Sequence, residues 1–102
     1  MDKLYIYLRE GNEFQFPLKE EKISIGRSSD NDIPLPDPFC SRHHAFVYLD
    51  RQCYMIRNNK SKNGTILNGK RIPAEAELKK GDEILIGTTR IVYEEETDSK
   101  NQ

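Results

Sequence analysis

The chain has 102 residues, which suits one domain and leaves no room for a second core of comparable size. Hydrophobic residues make up 35% and charged residues 32%, so the core is lean, and five Tyr and four Phe add packing area to it. The formal net charge of -1 gives no general affinity for nucleic acid or for membranes. No apolar run reaches the length of a membrane span, and Met1-Asp2-Lys3-Leu4-Tyr5 lacks the layout of a secretory signal, so a soluble, cytoplasmic domain is expected.

Period-two alternation runs along the chain. Leu4, Ile6 and Leu8 share one face of a first strand, followed by Phe14 with Phe16 and by Ile23 with Ile25. Asn31 to Ser41 holds Pro34, Pro36 and Pro38, whose fixed angles and missing donors resist helix and central strand, so an ordered surface loop is expected there. Further strands are predicted at Ala45–Leu49, Cys53–Arg57, Thr65–Leu67, Ala76–Leu78, Glu83–Ile86 and Arg90–Glu94. They are divided by turn residues such as Asn68-Gly69 and Gly81-Asp82. Ala74 to Lys80 has some helical character, but Pro73 and Gly81 bound it to barely two turns, and strand or loop is the better assignment. Turns at this frequency indicate an all-β sandwich. The domain is expected to span residues 1–96, with residues 97–102, which have no apolar content, as the start of a linker.

Chemistry concentrates in three loop clusters that interrupt good strands: Gly26-Arg27-Ser28, Ser41-Arg42-His43-His44 and Ser61-Lys62-Asn63-Gly64. Arg27 and Arg42 are planar charged donors, Ser41 a hydroxyl donor, Lys62 a point charge, and Asn63 an amide that donates and accepts. Such a set suits a phosphate together with a peptide main chain. From Arg57 to Arg71 the chain also carries Lys60, Lys62 and Lys70 with no acidic residue, a local positive patch; Asp30, Asp32 and Asp37 would dilute its field. Taken alone, Asn63-Gly64 and Asn68-Gly69 read as hairpin turns, and Asn68 stays a turn residue. Lys60, Lys70 and Arg71 read as a solvated face, and His43 as pointing to solvent.

Catalysis and metal binding are disfavoured. No nucleophile elbow or phosphate-binding glycine loop of the Walker type occurs. A closed zinc site would need Cys40, His43, His44 and Cys53 at a spacing that fits no common ligand pattern, and buried reduced thiols are the simpler expectation. No cofactor is implied.

Gly26-Arg27, Ser41-x-x-His44 and Asn63-Gly64, in this order and at these separations, resemble the forkhead-associated (FHA) domain family. Asn31-Asp32-Ile33, Asn68-Gly69-Lys70-Arg71-Ile72 and Gly81-Asp82 extend the likeness over nearly the whole chain. The resemblance implies an eleven-stranded sandwich of two twisted sheets, with loops gathered at one end to bind phosphothreonine segments of partner proteins. It further implies that Arg27, Ser41 and Arg42 contact the phosphate, with the Lys62 ammonium where the family often has a hydroxyl. Asn63 is implied to bond the peptide main chain, while Gly26, His44 and Gly64 support the site. Such domains are understood to prefer threonine to serine through its methyl group. The alternative is an interaction domain of the same fold that ignores phosphate; such a domain is expected to lack the arginine or the serine.

Overall fold

Branched aliphatic residues at every second position leave one face of each strand apolar, and two such faces can be buried only against each other. A computed structural model of the chain, which describes residues 2–95, shows this arrangement as eleven strands. They are β1 (Lys3–Tyr7), β2 (Glu13–Pro17), β3 (Lys22–Gly26), β4 (Ile33–Pro34), β5 (Ala45–Asp50), β6 (Cys53–Asn58), β7 (Thr65–Leu67), β8 (Lys70–Arg71), β9 (Glu75–Glu77), β10 (Glu83–Ile86) and β11 (Thr89–Glu94). One sheet has six strands in the order β2-β1-β11-β10-β7-β8, and the other five in the order β4-β3-β5-β6-β9. Every pairing is antiparallel except β3 with β4. The linker expected at residues 97–102 lies outside the described residues.

Leu4, Ile6, Ile84, Ile86 and Ile91 from the first sheet meet Ile23, Ile25, Val47 and Ile56 from the second, and all are fully buried. Each such side chain contributes roughly 1.5–3 kcal/mol by leaving water. The buried tyrosines keep their hydroxyls satisfied: Tyr54 donates to the Leu18 carbonyl at 3.2 Å, and Tyr93 to the Asp2 carboxylate.

The segment Asn31 to Ser41 departs from the expected surface loop. Asn31, Ile33, Leu35 and Asp37 are buried, while Pro34 and Pro36 between them, and Pro38 after them, are exposed. An extended backbone turns alternate residues to opposite sides, so the prolines face solvent while their neighbours enter the core. Pro34 is tolerated because β4 is an edge strand, where the missing donor faces no partner. The thiols also divide: Cys40 is buried as expected, whereas Cys53 is exposed, because it opens β6 on the face opposite Tyr54 and Ile56.

The register gathers the functional loops. β3 ends where β5 begins, Ala45 pairs with both Ile25 and Asn58, and Ile86 pairs with both Thr65 and Thr89. The connections 26–45, 58–65 and 86–89 therefore share one end of the sandwich. Ile56→Ala, a truncation at the centre of β6, is expected to cost about 2–5 kcal/mol in urea denaturation through the cavity it leaves.

Candidate functional site

The loop after β3 and the loop before β5 are laced together along their backbones. Arg27 N–H donates to the Ser41 carbonyl at 2.9 Å, Ser28 N–H to the Arg42 carbonyl at 3.1 Å, and His44 N–H to the Ile25 carbonyl at 2.9 Å. This close approach requires Gly26, where a Cβ would stand 2.1 Å from the Arg42 carbonyl oxygen. Asn31, for which the sequence suggested no individual role, is buried beneath and donates from Nδ2 to the Ser28 and Arg42 carbonyls at 2.8 and 2.7 Å.

His44 ties in the third loop. Its ring is fully buried, with Nδ1 accepting from Ser41 N–H at 3.0 Å and Nε2 2.7 Å from the Gly64 carbonyl. Both bonds are made only by the neutral ring with its proton on Nε2. Burial holds the imidazole below its ordinary value of 6.5, outweighing the Gly64 carbonyl and the Asp37 carboxylate, which favour the cation. Gly64 has φ +78°, and the Arg71 guanidinium lies against it, 2.4 Å from where a Cβ would be. Asn63 has no positive φ, whereas Asn68 and Gly69 have φ of 51° and 85°. Asn68-Gly69 is thus the mirror-type hairpin turn, and Asn63 is not.

Arg27, Ser41, Arg42 and Lys62, four of the residues singled out in the sequence, line one open pocket of about 470 Å³. Ser41 Oγ accepts from the Lys62 backbone N–H at 3.1 Å, which leaves its own O–H free to donate outward. Arg27 Nε donates to the Cys40 carbonyl at 3.0 Å, which fixes the guanidinium plane and leaves its terminal N–H groups free. Asn63 stands outside this pocket, in an adjoining groove of about 320 Å³ with Phe39, Ile66, Gly87 and Thr88. Its Nδ2 donates to the Phe39 carbonyl at 2.8 Å. Ser61 turns away from the pocket, donating to Asn58 Oδ1 at 2.5 Å, an atom that Thr65 Oγ1 also reaches at 2.8 Å.

Two residues read as solvated prove to line the pocket, His43 and Lys60. His43 sits 3.8 Å from Asp30 and 3.4 Å from Asn31 Oδ1. Sequence could not place them, because side chains directed by a turn show no period. Arg57 belongs elsewhere, paired with Glu75 at 3.0 Å.

Asp37 is not among the residues that line the pocket. It is buried, and it accepts from Phe39 N–H at 2.9 Å, Thr88 N–H at 2.7 Å, Thr88 Oγ1 at 2.8 Å and Thr89 Oγ1 at 2.9 Å. Burial alone would raise its pKa; the bonds from Phe39, Thr88 and Thr89 outweigh it and hold the carboxyl below the usual range. Asp32 is engaged by Ser24, through N–H at 2.9 Å and Oγ at 3.2 Å.

Phe39, Cys40, Ser41, Arg42, His43 and His44 are consecutive, and each of their carbonyls already accepts from an internal donor. The pocket therefore turns N–H and O–H groups outward while the carbonyls of this segment are satisfied within. It presents itself to an acceptor-only ligand.

A model of the FHA domain matches residues 23–87. The chain belongs to the FHA domain family. An ABC transporter ATP-binding/permease protein of Mycobacterium tuberculosis is 43% identical over 75 residues, which cover 74% of this chain and 9% of the transporter. A structure from a structural and functional analysis of phosphothreonine-dependent FHA domain interactions aligns with a TM-score of 0.78 and 30% identity, over 93% of this chain and 98% of that one. Mycobacterium tuberculosis EmbR, in complex with a low affinity phosphopeptide, aligns equally well, with a TM-score of 0.78 and 30% identity over 90% of this chain and 24% of EmbR. The chain thus spans a small part of several relatives it matches. These likenesses support a phosphopeptide-binding module in general. FHA domains are non-catalytic adaptors, and the chemistry here agrees: burial and the Asp37 carboxylate push the Cys40 thiol up to about 11, Arg27 opposing, and both His44 nitrogens face backbone groups.

Gly26→Ala is expected to cost about 1–3 kcal/mol or more in chemical denaturation, since the Arg42 backbone must move to admit the methyl. The His44 pKa is lowered by folding, so the neutral ring's contribution to stability is complete above pH 6.5 and is lost as pH falls from there through the folded value. Denaturation midpoints of the wild-type chain should drop across that window, and those of His44→Gln should drop less.

Proposed function

We propose that the chain is a phosphothreonine-dependent protein interaction module, holding phosphorylated segments of partner proteins in the cytoplasm. The observation that carries this reading is the donor-rich pocket: Ser41 O–H and the terminal N–H groups of Arg27 are left over while the carbonyls from Phe39 to His44 are filled. A phosphate ester near neutral pH carries about -1.5 to -2 charges and three acceptor oxygens with no need of an acceptor in return. Arg27, Ser41 and Arg42 bond the phosphate, and Lys62 adds a point charge.

Asn63 is suited to the peptide main chain rather than the phosphate. Its carboxamide oxygen and one N–H remain for an extended segment after the bond to Phe39. The phosphothreonine-dependent relative, alike in fold over nearly the whole chain, supports threonine as the modified residue.

Fluorescence anisotropy with a degenerate phosphothreonine peptide pool, its phosphoserine counterpart and its unphosphorylated twin tests the reading. Binding near the micromolar range, about -8 kcal/mol, is expected for phosphothreonine alone. Each charge-assisted bond contributes roughly 1.5–3 kcal/mol, so Arg27→Ala and Ser41→Ala should each weaken binding by at least about tenfold. Equal binding of the unphosphorylated twin would instead assign a phosphate-independent interaction domain.

A further inference from the structure

The pocket holds more positive charge than one phosphate requires. Arg27, Arg42, Lys60 and Lys62 all line it, and among the described residues no carboxylate pairs with any of them. Asp30 is engaged at 3.8 Å with His43, and the patch beyond Lys62 is divided between Arg71 over Gly64 and Arg57 on Glu75. Four unpaired cations around one opening repel one another, and an occupant with two negative charges neutralises only half of them.

The cations are also arranged unevenly. Asn59 lines the pocket beside Lys60 and is pinned to the loop before β5, its N–H to the His44 carbonyl at 2.9 Å and its Nδ2 to the His43 carbonyl at 3.1 Å. Lys60, next in the chain, sits at φ 54°, a left-handed conformation that disfavours a residue with a Cβ. The double anchor at Asn59 holds that turn and keeps the lysine at the pocket. Asn63 lines a separate groove with Phe39, Ile66, Gly87 and Thr88, where the Arg9 guanidinium is engaged over the Phe39 ring, 5.4 Å from its centroid. A bound segment would thus meet the unpaired Lys60 with His43 at the phosphate pocket, and at the groove a cation already stacked on Phe39.

Building on the phosphothreonine reading, we infer that this pocket selects segments in which a second anionic side chain stands on one side of the phosphothreonine, where Lys60 receives it. The second group is either a carboxylate or another phosphate, since both present oxygen acceptors and negative charge. The effect is a preference among phosphorylated partners, superimposed on the demand for phosphate itself.

The test uses the chain as it stands and one parent peptide in six forms: unphosphorylated, phosphothreonine alone, and phosphothreonine with a phosphoserine or a glutamate placed two residues to its amino or carboxyl side. Dissociation constants are measured by anisotropy for wild type and Lys60→Gln. Phosphoserine on one side only is expected to tighten binding about tenfold, as one added charge-assisted contact would. In Lys60→Gln that gain should shrink to about twofold or less. A matching gain from glutamate assigns an acidic sequence context, and a gain from phosphoserine alone assigns a doubly phosphorylated target; both support the inference. Equal affinity for singly and doubly anionic peptides overturns it while leaving the phosphothreonine reading intact. So does an equal gain on both sides, which is plain charge attraction, or a gain that survives Lys60→Gln. If no phosphorylated form binds better than the unphosphorylated one, the underlying reading falls and this inference with it.

Discussion

The site rests on one buried imidazole. His44 bonds both the Ser41 N–H and the Gly64 carbonyl, and it does so with the two nitrogens of one rigid ring. A flexible donor would lose rotamer entropy and allow the two loops to slide. The imidazole has two polar atoms at fixed separation and, when neutral, one donor and one acceptor, which match an N–H on one loop and a carbonyl on the other. The requirement is strict, because a second proton on Nδ1 would face the Ser41 N–H with no lone pair to offer.

From that ring the rest of the loop end is ordered in tiers. Gly26 lets the β3 loop lie against Arg42, Asn31 fills the space beneath and satisfies two carbonyls, and Asn58 gathers Ser61 and Thr65. Asp37 performs the same task between sheets, joining the segment before Phe39 to the β10–β11 turn through neutral donors alone. Gly87 must be glycine for this contact: its φ is +61°, and a Cβ would lie 2.9 Å from the Asp37 carboxylate. A buried charge with four donated bonds and no cation is tolerable because each bond favours the ionised form.

How much of this was legible in the sequence depended on whether the feature was periodic. The strands through Ile23, Val47, Ile56 and Ile84 were readable because burial of one face imposes a period of two. Arg27, Ser41, Arg42, Lys62 and Asn63 were found by residue type and order, and the fold places the first four on one pocket. The path of residues 31–41 was not readable, because proline is a general signal against central strands, whereas here its exposed side is the one that needs no donor. Asp37 and Asn31 were passed over since nothing in a loop sequence says which polar residue will be buried. Lys60 is exposed, as a solvated face would be, but its place at the pocket was not readable, because its direction is set by a left-handed turn beside the anchored Asn59.

The polarity of the pocket is a product of the framework rather than of the few residues that line it. Had the carbonyls from Phe39 to His44 been free, the same arginines and serine would have shared the opening with strong acceptors. A hydroxyl or an amide would then have competed with phosphate for them. With each carbonyl engaged by Arg27, Ser28, Asn31, Asn59 or Asn63, a ligand's own donors find none of these carbonyls free, and a group that enters with a donor gains less than one that only accepts. Discrimination against an unmodified threonine thus has two sources, the loss of charge-assisted bonds and the exposure of its hydroxyl proton to main-chain carbonyls that are already engaged. The residues that set the second source are scaffold residues, which is why a chain can retain the arginine and the serine and still need the asparagines behind them.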